Sequence, residues 1–222
     1  MKIIVIGHGG HSKVISDIIR AIKGLQIIGY LDKKYERIQV INSLIYGPVE
    51  AAKQLIEEYE DIKFFIAIGE NRSRKAVVEE LGFSRRHFVT VTHSTASISP
   101  SAKIGFGTVV MPQAVINADV VIGNHCIINS GSVVEHDSLL EDFVHLCPNS
   151  TITGTVKMGE GSCVGSGATV IPNIRIGEWS MIGAGATVID HLPANCLAVG
   201  TPAKVKMNNK VNEGDVIGAN NL

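Results

Sequence analysis

The sequence predicts two segments with different architectures: a small α/β sheet unit followed by a solenoid of short parallel strands. Two observations carry this prediction. Apolar runs alternate with amphipathic stretches over residues 1–92, whereas from Ile98 to Val188 every sixth residue is aliphatic or Met. Aromatic residues make up only 5% of the chain, so the core must be built mainly from aliphatic and small residues, and the β-branched ones among them favour strands.

The first segment is predicted to be a mostly parallel sheet flanked by helices. The runs "KIIVIG", "QIIGYLD" and "KFFIAIG" are typical of buried parallel strands, and "HFVTVTH" predicts a further strand of this unit. The stretch "PVEAAKQLIEEY" predicts a helix, and another is expected from about Asn71 to Leu81. In the first helix, "HSKVISDIIRAI", one face should carry Val14, Ile15, Ile18, Ile19 and Ile22.

The second segment repeats every six residues. The repeated positions are Ile98, Ile104, Val110, Ile116, Ile122, Ile128, Val134, Leu140, Leu146, Ile152, Met158, Val164, Val170, Ile176, Ile182 and Val188. Each step is interpreted as one flat side plus a corner, so that three steps close a triangular coil and residues eighteen apart stack on one edge. The predicted domains are residues 1–92 and 93–204, and the tail 205–222 is expected to be disordered or to form a short strand.

Composition excludes several classes of partner. The net charge is −1, which offers no basic field for nucleic acid or anionic membranes. No apolar run is long enough to span a bilayer, and "MKIIVIGHGG" is too short and glycine-rich for a signal peptide. The four cysteines lack CxxC spacing, so we expect reduced thiols and a cytoplasmic protein.

Two histidines fall outside the inward register of the solenoid. His136 comes two places after Val134, and His145 five places after Leu140. Asp137 follows His136 directly, and a neighbouring carboxylate can fix the tautomer of an imidazole and raise its basicity. On the residues alone, the alternative interpretation is that His136 and Asp137 are simply solvated residues of a surface corner.

Glycine-rich turns offer two further candidate regions. The loop "IGHGGHS" follows the first strand and opens the first helix, where backbone N–H groups can bind phosphate, although it lacks the third glycine of the dinucleotide fingerprint. A simple tight turn is the alternative. The small-residue corners "VGSGAT" and "IGAGAT" leave room for an extended cofactor arm, or merely turn the chain.

The stretches "GHGGHSKVISDI", "FFIAIGENRSRK", "SISPSAKIG", "NSGSVVEHD" and "VGTPAK", in this order, resemble the hexapeptide-repeat sugar O-acyltransferases of the sialic acid O-acetyltransferase type. Within that family the chain is most similar to the bacterial UDP-4-amino-sugar N-acetyltransferases. The resemblance implies a Rossmann-like domain followed by a left-handed parallel β-helix. It also implies a homotrimer with active sites between subunits, and acetyl-CoA and a nucleotide-activated sugar as substrates, without a metal.

The resemblance also implies residue roles. His136 would be the general base, Asp137 would orient it and His145 would lie near the thioester. Gly154, eighteen residues after His136, should stack beside the base and donate its N–H to the oxyanion. Substrate binding is implied for Gly9, Gly10, His11, Ser12, Asp32, Gly69 and Asn71, and acetyl-CoA binding for Asn129, Gly165, Ser166, Gly183, Ala184 and Lys204. We expect direct transfer, with Cys147 structural because only Leu146 and Pro148 flank it.

The expected reaction is acetylation of the amino group of a UDP-4-amino-6-deoxy sugar for surface glycan synthesis. The alternative acceptor is a hydroxyl of sialic acid or another polysaccharide precursor.

Other classes of protein fit the sequence less well. A prism-type zinc enzyme would need three histidines, and the exterior candidates His125, His136, His145 and His191 give no convincing triplet. A nucleotidyltransferase needs a longer first segment with a Gly-rich, basic signature, and an ice-binding solenoid needs ranks of outward threonines, which we do not find. A catalytically inactive sugar-binding protein is harder to exclude, although the intact "EHD" stretch argues against it.

Overall fold

The computed structural model describes residues 1–208 and shows an α/β sheet unit followed by a three-sided prism of strands. The sheet unit contains β1 (Lys2–Ile6), β2 (Gln26–Leu31), β3 (Gln39–Ile41), β4 (Leu44–Gly47) and β5 (Ile62–Ile66), with helices α1 (Gly10–Ala21), α2 (Ala51–Glu58) and α3 (Asn71–Leu81). The strand order is β3-β4-β2-β1-β5, and only β3 runs antiparallel to its neighbour. The antiparallel β3–β4 hairpin was not predicted, because β3 is exposed and carries no buried apolar run.

The predicted face of α1 is correct except at one position. Ile15 and Ile18 are buried, but Val14 is 45% exposed. Ser16 is buried instead, and its hydroxyl accepts a hydrogen bond from Tyr30 at 3.0 Å. A small polar residue whose side chain is hydrogen-bonded can therefore occupy a buried position of a helix where the apolar pattern predicts an aliphatic residue.

The remaining strands form the prism. They are β6 (Val91–Thr92), β7 (Ser97–Ile98), β8 (Lys103–Ile104), β9 (Val109–Val110), β10 (Val115–Ile116), β11 (Val121–Ile122), β12 (Ile127–Ile128), β13 (Val133–Val134), β14 (Leu139–Leu140), β15 (His145–Leu146), β16 (Thr151–Ile152), β17 (Lys157–Met158), β18 (Cys163–Val164), β19 (Thr169–Val170), β20 (Arg175–Ile176), β21 (Met181–Ile182), β22 (Thr187–Val188), β23 (Cys196–Val199) and β24 (Lys204–Asn208). They make an eight-stranded face containing β15, a six-stranded face containing β13 and a five-stranded face containing β14.

The six-residue register is confirmed. Every repeated position from Val110 to Val188 is at most 3% exposed, and stacked strands pair eighteen residues apart, as in Val133 with Thr151. Every sixth residue from Gly107 to Gly185 has a positive φ, which turns each corner. Left-handed backbone of this kind is least costly for Gly, Asn and Asp.

Two details of the prism differ from the sequence interpretation. In "HFVTVTH", Phe88 forms one parallel bridge to Phe64 of β5 in the α/β sheet, but the strand itself, β6, belongs to the prism, because its Val91 pairs with Val109 of β9. A short rank of outward threonines also exists, since Thr151, Thr169 and Thr187 pair in register on the six-stranded face. Of the tail, β24 pairs antiparallel with β23, and residues 209–222 lie outside the described part of the chain.

A buried arginine is a central contact between the sheet unit and the prism. Arg74 of α3 is 1% exposed. Its Nε donates to the carbonyl of His125 at 2.8 Å, and its Nη2 donates to the carbonyl of Phe143, also at 2.8 Å. Its Nη1 donates to the carbonyls of Ile68 and Gly69, and Nη2 also donates to Oδ1 of Asn71. The guanidinium therefore fixes the loop after β5 against two prism corners.

His125 lies beside this junction in an aromatic enclosure. Its ring stacks on Phe143 at 5.4 Å and meets the edges of Phe88 and Phe106. It is 2% exposed, so its assignment as an exterior histidine was wrong. Neither ring nitrogen has a hydrogen-bond partner among the described residues, and burial, assisted by the charge of Arg74, lowers the pKa of His125 to about 4.

Replacing Arg74 with Met should lower the free energy of unfolding by at least about 3 kcal/mol, because several buried carbonyls lose their only side-chain donor. Urea denaturation measures this loss. Arg85→Met removes an exposed guanidinium of the same size and should change stability by no more than about 0.5 kcal/mol. Equal effects of the two substitutions would contradict the proposed importance of the junction.

His125→Phe should flatten the dependence of stability on pH. The folded-state pKa of about 4 lies below the unfolded value of about 6.5, so the neutral ring stabilises the fold above pH 6.5, and this contribution is lost as the pH falls through 4. The difference in unfolding free energy between variant and wild type should shift by up to about 3 kcal/mol over this window. Phe143 shows that a phenyl ring fits the equivalent corner one coil further on. Parallel pH profiles of the two proteins would refute the assignment.

Candidate active site

His136 occupies the corner between β13 and β14, where the chain passes from the six-stranded to the five-stranded face. Its Nδ1 lies 2.7 Å from Oδ2 of Asp137, and the two side chains are 60% and 58% exposed. Asp137 has a φ of 57°, so the left-handed corner aims its carboxylate back at the ring. We assign the proton to Nδ1, since a carboxylate only accepts, which leaves Nε2 free to accept a proton.

Gly154 stacks on this imidazole, as its spacing of eighteen residues predicted. A Cβ built on Gly154 would lie 2.8 Å from both Cε1 and Nε2 of His136. The N–H of Gly154 makes no hydrogen bond to another residue of the described chain. An unpaired backbone donor therefore lies beside the free nitrogen of a carboxylate-oriented imidazole.

His145 lies in a different environment, on the outer surface of the eight-stranded face. Its Nε2 lies 3.3 Å from Nδ2 of Asn129, a residue predicted to bind acetyl-CoA. Cys163 pairs with His145 in register on the next strand, and Cys147 lies two residues further along the chain. These three side chains are half-buried.

Cys147 is not the isolated structural thiol that its flanking residues suggested. Its Sγ lies 3.8 Å from Sγ of Cys163. A hydrogen bond from the Cys163 thiol lowers the pKa of Cys147, and His145 lowers it further. The sequence-based interpretation of Cys147 as structural considered only its two flanking residues, and it missed His145 two residues away and Cys163 on the next coil.

A cleft forms where the loop after β5 meets the eight-stranded face. Its cavity of about 170 Å³ is lined by Gly69, Glu70, Asn71, Arg72, His145, Gly161, Cys163, Trp179, Ser180 and Met181. The ring of His11 lies under Gly69 and close enough to His145 for their charges to interact. Its Nε2 has no partner among residues 1–208, and burial lowers its pKa to about 4, so this imidazole is neutral at physiological pH.

Asn71 and Ser12 have their polar groups engaged within the protein. Asn71 is buried, and its Nδ2 donates to the carbonyl of Gly161 at 2.9 Å while its Oδ1 accepts from Arg74. The hydroxyl of Ser12 donates to the carbonyl of Gly9 at 2.8 Å. Gly9 and Gly10 are exposed, with open space where a side chain would start.

The predicted nucleotide-binding region is a second cavity, of about 270 Å³, lined in part by Gly7, Asp32 and Lys33. The carboxylate of Asp32 accepts hydrogen bonds from the backbone N–H of His8 at 2.6 Å and of Lys34 at 3.0 Å. The bond from His8 joins the end of β2 to the glycine loop after β1, so the two sequence-predicted binding elements meet in space.

The predicted acetyl-CoA residues follow the corners of the prism. Ser166 and Ala184 are exposed and lie one coil apart. Gly165 is required by packing, since a Cβ there would lie 2.5 Å from the backbone nitrogen of Ala184, and Gly183 likewise lies against Val199. Lys204 is exposed, with Nζ 3.9 Å from Asp190.

The chain therefore brings its predicted site residues together in separate groups. His136, Asp137 and Gly154 form one group at a corner, and His11, Gly69, Asn129 and His145 form another on the eight-stranded face. Trp179, Arg72 and Glu70, which line the cleft, were missed by sequence reasoning. Stacking at eighteen residues signals Trp179, which lies one coil beyond Gly161, and a Cβ on that glycine would meet its indole ring.

Comparison with known proteins assigns the family. Residues 2–81 match the PglD N-terminal domain, and residues 101–136 and 155–190 match the bacterial transferase hexapeptide repeats. The UDP-N-acetylbacillosamine N-acetyltransferase of Bacillus subtilis (strain 168) is 43% identical over 110 residues, which cover 50% of this chain and 51% of that protein. The GDP-perosamine N-acetyltransferase of Escherichia coli O157:H7 is 30% identical over 105 residues, 47% of this chain and 48% of that protein. The matched region thus spans about half the length of these curated relatives.

Solved structures align over nearly the whole chain. A mutant of the perosamine N-acetyltransferase from Caulobacter crescentus, in complex with CoA and GDP-perosamine, is 36% identical with a TM-score of 0.84, covering 93% of this chain and 97% of that one. The acetyltransferase domain of PglB from Neisseria gonorrhoeae FA1090, in complex with acetyl coenzyme A, is 33% identical with a TM-score of 0.81, covering 92% and 98%.

Fold and sequence together define a hexapeptide-repeat acyltransferase, and the prism is the left-handed parallel β-helix of that class. Within it, the chain belongs to the family of bacterial sugar N-acetyltransferases that carry a PglD-type N-terminal domain. In the described part of the chain, no helix has the length and apolarity needed to cross a bilayer.

Proposed function

We propose that this protein transfers the acetyl group of acetyl-CoA directly to the 4-amino group of a nucleotide-activated 4-amino-6-deoxy sugar, with UDP as the nucleotide, for surface glycan synthesis. Relatives named for bacillosamine and perosamine N-acetylation, and solved neighbours in complex with CoA or acetyl-CoA, support the reaction class. The UDP-sugar relative is 43% identical over its matched half.

The observation that carries the proposal is the group of His136, Asp137 and Gly154. As the amine nitrogen attacks the thioester carbon, Nε2 of His136 takes the amine proton, and Asp137 stabilises the imidazolium through Nδ1. The N–H of Gly154 donates to the oxyanion of the tetrahedral intermediate. When the carbon–sulfur bond breaks, the departing CoA thiolate accepts the proton from Nε2. Two solved structures of the Caulobacter enzyme carry a histidine replaced by Asn or Ala, in complex with CoA and GDP-perosamine.

We further propose that the active site is completed between subunits of a homotrimer, and that the enzyme works in the cytoplasm. His136 lies at a corner between the six- and five-stranded faces, whereas His145 lines a cleft on the eight-stranded face, with His11 half-buried beneath Gly69 close by. One chain therefore presents the base and the cleft in different directions, and a neighbouring copy can bring them together. His145 would then contact the thioester, and the exposed corners at Ser166 and Ala184 the pantetheine arm.

His136→Ala should lower kcat by about 100- to 10 000-fold, the range expected for loss of a general base. Release of CoA is measured with a panel of UDP- and GDP-linked 4-amino-6-deoxy sugars and with sialic acid as the hydroxyl acceptor. Asp137→Asn should lower kcat by at least about 10-fold by misorienting the tautomer, and His87→Ala, which removes a remote imidazole, should have no effect. Full turnover by His136→Ala would refute the role of His136 as general base. Turnover with sialic acid and with no amino sugar would refute the amine as the acceptor. If the wild type turns over none of these substrates, the proposed activity is refuted.

Gly154→Ala should lower kcat by at least about 10-fold while the protein stays folded, because the added methyl group would push the His136 ring out of the position that catalysis needs. Thr155→Ala is the matched control, since it removes a hydroxyl from the same corner and adds nothing near the imidazole. Thermal melts confirm that both variants fold. Wild-type kcat in Gly154→Ala would exclude this glycine from the catalytic group.

A further inference from the structure

The cluster of His145, Cys147 and Cys163 has a geometry that acetyl transfer does not require. One ring nitrogen of His145 and the two sulfur atoms all lie within 4.8 Å of one another. His145 and Cys163 are neighbours because β15 and β18 pair in register. The cluster is thus assembled by the β-helix itself, on two adjacent coils.

The spacing of the two sulfur atoms matches that of thiolates sharing one tetrahedral metal ion. Two thiolates bound to Zn²⁺ at about 2.3 Å with a tetrahedral angle lie about 3.8 Å apart. The Sγ atoms of Cys147 and Cys163 are 3.8 Å apart. A disulfide would require this separation to close to about 2.05 Å and would need an oxidant, whereas a shared metal ion would leave the separation of the two sulfur atoms unchanged.

The surroundings leave a coordination position open. His145 and Cys163 line the cavity of about 170 Å³ beneath the loop after β5, so water can complete a four-coordinate ion. Two thiolates neutralise a divalent cation, which limits repulsion from Arg74, whose charge acts on Cys163. Two cysteines and one histidine with an open fourth position are a donor set that Zn²⁺ commonly adopts.

We propose that His145, Cys147 and Cys163 form a binding site for one thiophilic divalent cation, Zn²⁺ in particular, on the eight-stranded face. Both cysteines bind as thiolates, so binding releases the protons that the pair still carries and forms two metal–sulfur bonds and one metal–nitrogen bond, without any change of oxidation state. Insofar as the proposed function holds, the bound ion withdraws His145 from the thioester and occupies the cleft, so that it inhibits acetyl transfer.

The metal site is tested on the full-length protein, reduced and freed of metal, by titration with Co²⁺ under anaerobic conditions. We expect thiolate-to-cobalt charge-transfer absorption that saturates at one ion per chain and disappears when Zn²⁺ displaces Co²⁺. Cys147→Ser and Cys163→Ser should each weaken binding by at least about 100-fold, since even residues that only orient ligands contribute 10- to 100-fold. Cys196→Ala, which removes a thiol buried in the prism core, should bind as the wild type does.

Absence of the charge-transfer band, or its persistence in both serine variants, overturns the site. Inhibition is tested separately by following the acetylated sugar by mass spectrometry in buffered Zn²⁺, because free CoA itself binds the ion. The wild type should lose activity on metal binding and regain it with a chelator, and undiminished activity of the metal-loaded protein overturns the inhibitory role. If no acceptor is acetylated even without metal, the proposed function fails, while the Co²⁺ titration still decides the site.

Discussion

The side chain of Arg74 donates its hydrogen bonds to the loop after β5, to the start of α3 and to two prism corners, so this one buried cation ties the sheet unit to the prism at several points. Burying a charge costs several kcal/mol unless hydrogen bonds replace its hydration. Here four of the five acceptors are backbone carbonyls and the fifth is the amide oxygen of Asn71. Burial lowers the pKa of Arg74 only to about 10, so the charge persists at neutral pH.

The cleft depends directly on this junction. The carbonyl of Gly69 accepts from Arg74, and Gly69 in turn covers the ring of His11. His11 and the prism residue His145 are held near each other, and both burial and their mutual repulsion lower the pKa of His11. A neutral imidazole with an unpaired nitrogen in such a cleft can hydrogen-bond a ligand without adding charge. Nothing in the sequence near His11 signals this, because the contact spans more than 130 residues.

The six-residue repeat allowed most of the prism to be predicted, because an inward aliphatic residue at each step is a direct consequence of closing the coil. It also predicted that Gly154 stacks on His136. The junction could not be predicted, since Arg74 looks like an ordinary polar residue of an exposed helix and the family resemblance assigned Asn71 to substrate binding. His125 was misassigned for the same reason: its corner faces outward from the prism, but the sheet unit covers it with Phe88. Periodicity reports which side of an element a residue occupies, and not what packs there.

The stacking rule also explains how one scaffold can carry both of the proposed chemistries. On the corner between β13 and β14, a glycine eighteen residues after His136 leaves room for the imidazole and presents an N–H beside it. On the eight-stranded face, a cysteine eighteen residues after His145 places a thiol beside the imidazole instead. A β-helix aligns side chains from successive coils at about 4.8 Å, which suits proton transfer in one case and metal coordination in the other. His145 lies where the two uses conflict, because an imidazole bound to a cation cannot also contact a thioester.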